Sequence, residues 1–274
     1  MKQFFKKNLS TIVLCLMLVT GLCLLLYPSF SNYWNSFHQS KTIASYAEEI
    51  AQMDDEKSEK IWEEASLYNR RILESGNNIW NLNEEAMEEY ERILDISGTG
   101  IMGYIDIPSI KVSLPIYHGV SDSILQVAVG HLPGSGLPVG GKGTHCALSG
   151  HRGLPSAMLF TNLDKLTKGD VFILNVMDQT LTYEVDQISI VLPDDSTKLS
   201  LEKDQDLCTL ITCTPYGINS HRLLVRGHRV ENLKEKAHVS ADGMQINTRL
   251  VALTIAAPSV AILFIAALAF KRRR

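Results

Sequence analysis

Three residues whose side chains could carry nucleophilic chemistry lie at the ends of short apolar runs. Cys213 follows the run 207–212, a turn rich in proline, glycine and asparagine comes next, and Arg222 opens the following run. If these runs are paired strands, Cys213 and Arg222 lie at the same mouth of the sheet. A cysteine nucleophile needs a base or a cationic neighbour, and arginine can also donate to an oxyanion. The best candidate base is His151, which ends another apolar run.

Strand alternation predicts other roles for the neighbouring polar residues. His221 is a rival base, but it adjoins Arg222 and is expected to face the opposite way. Cys208 lies five residues before Cys213 and is predicted to be a small core residue on the other face. Thr212 also alternates away from Cys213, although a backbone or hydroxyl contribution near the site stays open.

His131, His145 and Cys146 lie close together in the sequence and could suggest a metal site. Their spacing matches no standard zinc pattern. We therefore expect structural or surface roles for them, and the sequence implies neither a metal nor a cofactor.

Two uncharged apolar runs, 9–27 and 250–270, are each about as long as the roughly 20 residues that a helix needs to cross a bilayer. Lysines lie in the tip 1–8 before the first run, and four bases form the tail 271–274 after the second. The apolar length of the runs predicts two transmembrane helices. The positive-inside tendency predicts that both tips lie in the cytoplasm and that residues 28–249 lie outside. The alternative for the first run is a cleaved signal peptide, which leaves the outer location unchanged.

Charge and cysteine content narrow the function of the outer region. All 30 acidic residues lie in 28–249, whereas a nucleic-acid binder needs a basic face. Only Cys146, Cys208 and Cys213 lie outside the predicted membrane. An odd number of cysteines predicts that at least one thiol is free or intermolecular.

Residues 28–99 are predicted to form an N-terminal helical segment. Apolar residues recur at spacings of three and four over 43–72, which is typical of one face of an amphipathic helix. A second short helix is predicted over 83–94.

Residues 100–232 change to short β-rich runs separated by glycine and proline, a pattern typical of a closed or nearly closed β-barrel. A helix is predicted at 156–163, and residues 233–249 form a linker to the second membrane run. The predicted strands are 101–107, 112–117, 144–149, 171–176, 181–192, 207–212 and 223–230.

The sequence Thr-Leu-Ile-Thr-Cys at 209–213 resembles the Thr-Leu-X-Thr-Cys signature of the sortases. The histidine-containing strand end at 148–153 and an arginine downstream of the cysteine match the other members of their catalytic triad. The resemblance covers about residues 100–230 and is strongest to class C, the pilin-polymerising sortases. It implies a mainly β, sortase-type barrel with an N-terminal helical segment and two transmembrane helices. The stretches 103–108, 114–119 and 212–217 resemble that class.

The resemblance implies a cysteine transpeptidase that cleaves a Leu-Pro-X-Thr-Gly-type motif between Thr and Gly. Cys213 would attack the Thr carbonyl, Arg222 would stabilise the oxyanion, and His151 would act as general acid and base. In the pilus class the incoming amine is a pilin Lys, so the implied partners are pilin or surface proteins with a C-terminal sorting motif. The acceptor Lys and the oligomeric state are not specified by the sequence.

Class C sortases commonly carry a lid loop with Asp-Pro-Trp or Asp-Pro-Phe, whose aromatic residue covers the cysteine. No proline lies between Pro28 and Pro108, and the loop at the matching place contains Asn78 and Trp80, the lid candidates. One hypothesis is that Trp80 keeps the aromatic plug while the Asp–Arg latch is lost. The alternative is that Trp80 packs under the helical segment and there is no lid.

Two other functions stay open. A sortase that anchors surface proteins to cell-wall peptidoglycan differs in the amine that it accepts. A catalytically inactive, membrane-tethered scaffold is the alternative from another class. A papain-like protease is disfavoured because such chains place the cysteine before the histidine, whereas here His151 precedes Cys213.

Overall fold

The computed structural model describes residues 2–76 and 82–232. The predicted linker 233–249, the second predicted transmembrane helix 250–270 and the tail 271–274 lie outside the described residues. So do the lid candidates Asn78 and Trp80.

The described chain begins with a 50-residue helix, α1 (Lys2–Ala51). Its most apolar 18-residue window has a mean hydropathy of 2.6, and in the described part of the chain α1 is the one helix long and apolar enough to cross a membrane. The predicted transmembrane helix 9–27 is part of this longer helix, since α1 continues through Pro28. Proline removes a single helix hydrogen bond, a loss that neighbouring packing can compensate.

Two shorter helices, α2 (Asp55–Ser75) and α3 (Glu84–Arg92), follow. The amphipathic pattern predicted over 43–72 is therefore divided, with α1 ending at Ala51 and α2 starting at Asp55. The α3 helix begins where the Asn83 side chain accepts a hydrogen bond of 2.9 Å from the Ala86 amide, an N-cap that satisfies a free helix donor. The buried side chains of α2 are Ala65, Tyr68, Asn69 and Ile72.

Eight strands close into a barrel in the order β1-β2-β3-β4-β7-β8-β6-β5, which confirms the predicted mainly β architecture. The β2–β3 and β4–β7 pairs are parallel, and the other pairs are antiparallel. The strands are β1 (Ile101–Ile107), β2 (Val112–His118), β3 (Val129–His131), β4 (Thr144–Ser149), β5 (Val171–Val176), β6 (Gln179–Val191), β7 (Asp206–Thr214) and β8 (His221–Val230). A short helix, α4 (Asp122–Leu125), precedes β3.

The structure corrects two of the predicted elements. The helix predicted at 156–163 is wrong, since this stretch forms turns that lead into a 3₁₀ turn at Leu163–Lys165. Leu159 has a φ of 36°, which no right-handed helix accommodates. The three-residue strand β3 was not predicted, because its pairing with β2 and β4 leaves no periodic signal in so short a run.

The barrel interior holds the main hydrophobic core. The rings of Phe172 and Tyr183 stack there with centroids 5.5 Å apart. Cys208 is fully buried in the same core, which confirms the prediction for that residue, and it lies opposite Cys146 across the β4–β7 pair. Burial raises the pKa of the Cys208 thiol, which keeps it protonated and unreactive.

The barrel is tied to α1 by buried polar contacts. Tyr46 donates its hydroxyl proton to the Met102 carbonyl at 3.0 Å and accepts a hydrogen bond from the Met177 amide at 2.8 Å. Gln39 donates to the Val127 carbonyl at 2.7 Å. The helix that carries the apolar run is thus part of the same compact unit as the barrel.

His145 is a buried structural residue of β4. Its Nδ1 lies 2.9 Å from the Ser200 carbonyl, to which it can donate, and its Nε2 lies 2.8 Å from the Thr209 hydroxyl, from which it can accept. A neutral ring satisfies both contacts, and burial lowers the pKa of His145 below its ordinary value of 6.5. His145, whose ring is held by Thr209 of the Thr-Leu-Ile-Thr-Cys sequence, therefore fastens the β6–β7 connection to the barrel.

This burial predicts a loss of stability in mild acid. Because the folded pKa of His145 is lowered, the unfolded chain takes up the proton first as the pH falls through 6.5. We expect the free energy of unfolding to fall by at most about 1.4 kcal/mol per pH unit from this group, measured by urea unfolding between pH 7.5 and 5. His145→Gln should flatten the slope. Identical slopes for wild type and His145→Gln would contradict the assignment.

Candidate active site

The pairing of β7 with β8 sets Cys213 directly opposite Arg222. The connection between the strands is a tight turn in which Gly217 and Asn219 adopt φ values of 75° and 61°. The Asn219 amide donates to the Pro215 carbonyl at 2.9 Å, which closes that turn. Glycine and asparagine tolerate this left-handed backbone, so the turn sequence itself brings the cysteine and the arginine to one mouth.

His151 reaches the same mouth from the other side of β7. The strand β4 runs parallel to β7 with Ser149 opposite Ile211, and the Gly150 amide donates to the Ile211 carbonyl at 3.0 Å. Two residues further along both chains, His151 comes level with Cys213 on the same face of the sheet. His151, Cys213 and Arg222 therefore form a row across the ends of three adjacent strands, β4, β7 and β8. Neighbouring strands in a sheet lie about 5 Å apart.

Thr212 fixes this row from the opposite face. Its hydroxyl donates a buried hydrogen bond of 2.7 Å to the Gly150 carbonyl, immediately before His151. Gly150 itself is closely packed, since a Cβ there would lie 2.6 Å from the ring of Phe160. The open question about Thr212 thus has a structural answer, because its hydroxyl positions the backbone that presents the histidine.

The loop 151–160 that begins at the histidine is held on several sides. The Phe160 amide donates to the His151 carbonyl at 3.1 Å and closes the loop at its base. Arg152 pairs with Asp164, and its guanidinium lies 5.7 Å from the centroid of the Tyr216 ring, on the turn that follows Cys213. These contacts connect the histidine loop to the cysteine turn.

Cys213, His151 and Arg222 are each partly accessible to solvent. The Arg222 guanidinium contacts the Asn219 and His221 carbonyls at 3.3 Å each, and within the described residues it makes no ion pair. Its charge and remaining N–H groups are therefore available to an incoming anionic oxygen.

His221 pairs with Thr214 and lies on the face of β8 opposite to that of Arg222. Its Nδ1 contacts the Ser220 hydroxyl at 2.9 Å. Adjacent strand residues face opposite ways, so His221 does not join the row.

His131, His145 and Cys146, which the sequence suggested as a possible metal site, are buried residues of the core. The His131 ring nitrogens contact the Tyr90 hydroxyl at 3.0 Å and the Gly136 carbonyl at 2.8 Å. His145 is engaged as described above, and Cys146 is buried. Among residues 2–76 and 82–232 no group of three or more possible metal ligands occurs.

An apolar floor beneath the row was not identified from the sequence. Ile211 and Leu224 lie two residues below Cys213 and Arg222 on the same face, and with Ala147 and Leu199 they form a cluster separate from the barrel core. Leu199 belongs to the β6–β7 connection, which covers this outer face. The sequence signal was ambiguous because β7 is apolar on both faces, so the outer set could not be told from the inner one.

The lid hypothesis for Asn78 and Trp80 concerns residues outside the described chain. It therefore stays a prediction.

Comparison with known proteins finds similar sequences and structures that are sortases. The family model described as Sortase domain matches residues 105–230. Sortase C1 from Streptococcus agalactiae is 49% identical in sequence, with a TM-score of 0.69, and the match covers 70% of this chain and 100% of that one. Streptococcus pneumoniae sortase C is 41% identical with a TM-score of 0.63, over 70% and 97% of the two chains. Bacillus anthracis Sortase A is 27% identical over 84% of this chain and 99% of its own length.

The fold and these matches define an enzyme of the cysteine transpeptidase class. The chain belongs to the sortase family, and the resemblance to class C sortases indicated by the sequence is confirmed.

Thr212→Val should lower kcat for a sorting-motif peptide by about tenfold to a hundredfold, because a small displacement of a reacting group costs that much. Thr212→Ser keeps the hydroxyl that bonds the Gly150 carbonyl and should retain most of the activity. Melting temperature measured on both variants separates loss of fold from loss of position. Equal kcat values for the valine and serine variants would show that the hydroxyl does not position the site.

Proposed function

We propose that this chain is a pilus-assembly sortase. It cleaves a Leu-Pro-X-Thr-Gly-type motif between Thr and Gly and joins the new acyl group to the side-chain amine of a pilin Lys. The observation that carries the proposal is the row of His151, Cys213 and Arg222 across three strand ends, above an apolar floor.

The proposed first step is acylation. The Cys213 sulfur, whose proton passes to His151, attacks the Thr carbonyl carbon, and the Arg222 N–H groups stabilise the oxygen that becomes negative in the tetrahedral intermediate. The Thr–Gly C–N bond then breaks, and His151 gives a proton to the departing Gly amine. The product is a thioester on Cys213.

The second step reverses these roles. His151 removes a proton from the Lys amine, the amine nitrogen attacks the thioester carbon, and the Cys213 sulfur leaves. One amide is exchanged for an isopeptide bond without net consumption of water. The position of Cys213 in the middle of the row supports both steps, because acid/base group and oxyanion donor flank the sulfur on opposite sides.

The apolar floor supports the choice of motif. Ile211, Leu224 and Leu199 lie on the Cys213 face, below the row and along the strands. Because these residues are buried under the β6–β7 connection, an extended peptide that places its Thr carbonyl at the sulfur would pack its preceding Leu and Pro side chains at the partly buried border of the cluster, against Leu132 and Val191. Burial of each apolar side chain would contribute roughly 1–2 kcal/mol to binding.

Similarity to class C enzymes supports a pilin as acceptor. The solved structure of Streptococcus pneumoniae sortase C bears on pilin substrate specificity, and this chain is 41% identical to it over nearly its whole length. Anchoring of single proteins to the cell wall uses the same acylation step and differs only in the amine.

We further propose that α1 crosses the cell membrane once and that residues 250–270 cross it a second time. The catalytic barrel is then extracellular and both termini are cytoplasmic. The apolar length of α1 and the bases at the two ends of the chain support this topology.

Co-expression with candidate pilins tests the proposal directly. We expect a ladder of high-mass covalent pilin polymers that is lost with Cys213→Ala. Cys208→Ala is the matched control, because it removes a buried core thiol and should keep the ladder. If no ladder forms but a sorting-motif peptide still yields a Cys213-dependent hydroxamate, the enzyme anchors single proteins. If neither product forms, the inactive scaffold is favoured.

Arg222→Lys tests the oxyanion role. Lysine keeps the charge but lacks the planar fork of donors, so kcat for peptide cleavage should fall by roughly a hundredfold. Arg226→Lys is the control, four residues along β8, where the side chain pairs with Asp186 at 2.8 Å away from the row. Its kcat should stay near the wild-type value, and an equal loss in both variants would argue for a structural role of Arg222.

A further inference from the structure

The α1 helix carries an aromatic face immediately beyond its apolar run. Tyr27, Phe30, Trp34 and Phe37 recur at spacings of three and four, and each is more than half exposed. The Phe30 and Trp34 rings stack with centroids 6.4 Å apart. Four large exposed aromatic side chains on one helix face are unusual for a surface in contact with water alone.

The opposite face of the same helix is attached to the barrel. Asn32 accepts a hydrogen bond from the Met158 amide at 2.8 Å, and Asn35 donates to the Ser156 carbonyl at 2.8 Å. Gln39 and Tyr46 continue this face with their contacts to Val127 and Met102. At 100° per residue, these residues lie on average about 150° around the helix from the aromatic side chains, so the barrel does not cover the aromatic face.

The charge pattern matches the thickness of a membrane. No Asp, Glu, Lys or Arg occurs between Lys7 and Lys41. This uncharged helical stretch is about 50 Å long, whereas a bilayer with its headgroups is roughly 40–45 Å thick, so a moderate tilt places the whole stretch within it. The exposed aromatic side chains end at Phe37, just before the first charge, and aromatic residues are enriched at membrane interfaces.

Pro28 is placed to bend α1 in the direction that brings the aromatic face toward the lipid. It lies on the same side of α1 as Asn32 and Asn35, because their spacings are four and seven residues. A proline ring pushes away the carbonyl four residues earlier and opens the helix on its own side. We expect the helix beyond Pro28 to lean toward the aromatic face, that is, toward the lipid.

We propose that this aromatic face, formed by Tyr27, Phe30, Trp34 and Phe37, is embedded in the headgroup layer of the outer leaflet and holds the mouth of the barrel beside the membrane surface. Asn32 and Asn35 bind the loop 151–160, whose first residue is the candidate base His151. The row is thereby presented to sorting motifs carried by membrane-tethered substrates. The consequence for substrates rests on the proposed function, whereas the lipid contact itself does not.

Fluorescence quenching by lipid measures the contact in the full chain. In Trp62→Phe/Trp80→Phe protein reconstituted into nanodiscs, Trp34 is the sole tryptophan. Its emission should be severalfold lower in nanodiscs of acyl-brominated phosphatidylcholine than in unbrominated ones. The control carries Trp34→Phe and Leu67→Trp as well, which moves the emitter to an exposed position on α2. The α2 helix packs through Leu73 against Gly143, before β4 and remote from the mouth, so the control emission should not change.

Absence of Trp34 quenching would overturn the proposal. If quenching appears only after residues 250–274 are deleted, that segment covers the face, and the lipid assignment is equally wrong. If Trp34 is unquenched and Cys introduced at Phe37 crosslinks between two chains, the face is a dimer interface instead.

Activity provides a separate readout. Trp34→Gln/Phe37→Gln should keep wild-type turnover of a soluble sorting-motif peptide and lose at least about fivefold on the same motif anchored in the nanodisc, because the aromatic face orients the mouth toward motifs at the membrane surface. Leu67→Gln should change neither rate. Equal rates for wild type and the double variant on the anchored motif would overturn the substrate consequence. If no variant turns over either substrate while Trp34 is quenched, the proposed function fails and the lipid contact stands.

Discussion

The register of three adjacent strands is the constraint on which the site depends. Parallel pairing of β4 with β7 and antiparallel pairing of β7 with β8 place the ends of three strands at one mouth. A slip of one residue in β7 would turn Cys213 into the barrel and bring Cys208 outward. The hydrogen bond from Thr212 to the Gly150 carbonyl opposes such a slip, because it holds the end of β7 to the end of β4.

Both faces of β7 are buried, and this explains how one strand serves the core and the site together. Cys208 and Leu210 fill the barrel interior, whereas Ile211 joins the outer cluster beneath Cys213. The His145–Thr209 contact fastens the β6–β7 connection over that outer face. A side chain at the end of a strand packed on two sides has little freedom to move, which would give the proposed nucleophile Cys213 a fixed attack geometry.

In the proposed topology, the α1 helix would link the position of the membrane to the orientation of the barrel. Polar contacts at Asn32, Asn35, Gln39 and Tyr46 run along one side of a single helix whose first half is apolar. The loop held at the membrane-proximal end of this side is the loop that presents His151. If α1 anchors the chain as proposed, one continuous helix connects the anchor to the loop that carries His151.

The sequence by itself determined the β-rich character of 100–232 and the apolar helix, and it predicted Cys213, His151 and Arg222 as the residues that carry the chemistry. Strand alternation excluded His221 and placed Cys208 in the core, because side-chain direction in a strand has a period of two. The sequence alone did not determine the end of α1 at Ala51, the short strand β3 or the turns at 156–163, because these depend on contacts between residues distant in sequence. Only the tertiary structure decided that His151 comes level with Cys213, since parallel pairing of strands 62 residues apart leaves no local signal. The apolar floor was hidden for the same reason, because one buried face of β7 looks like the other until its neighbours are known.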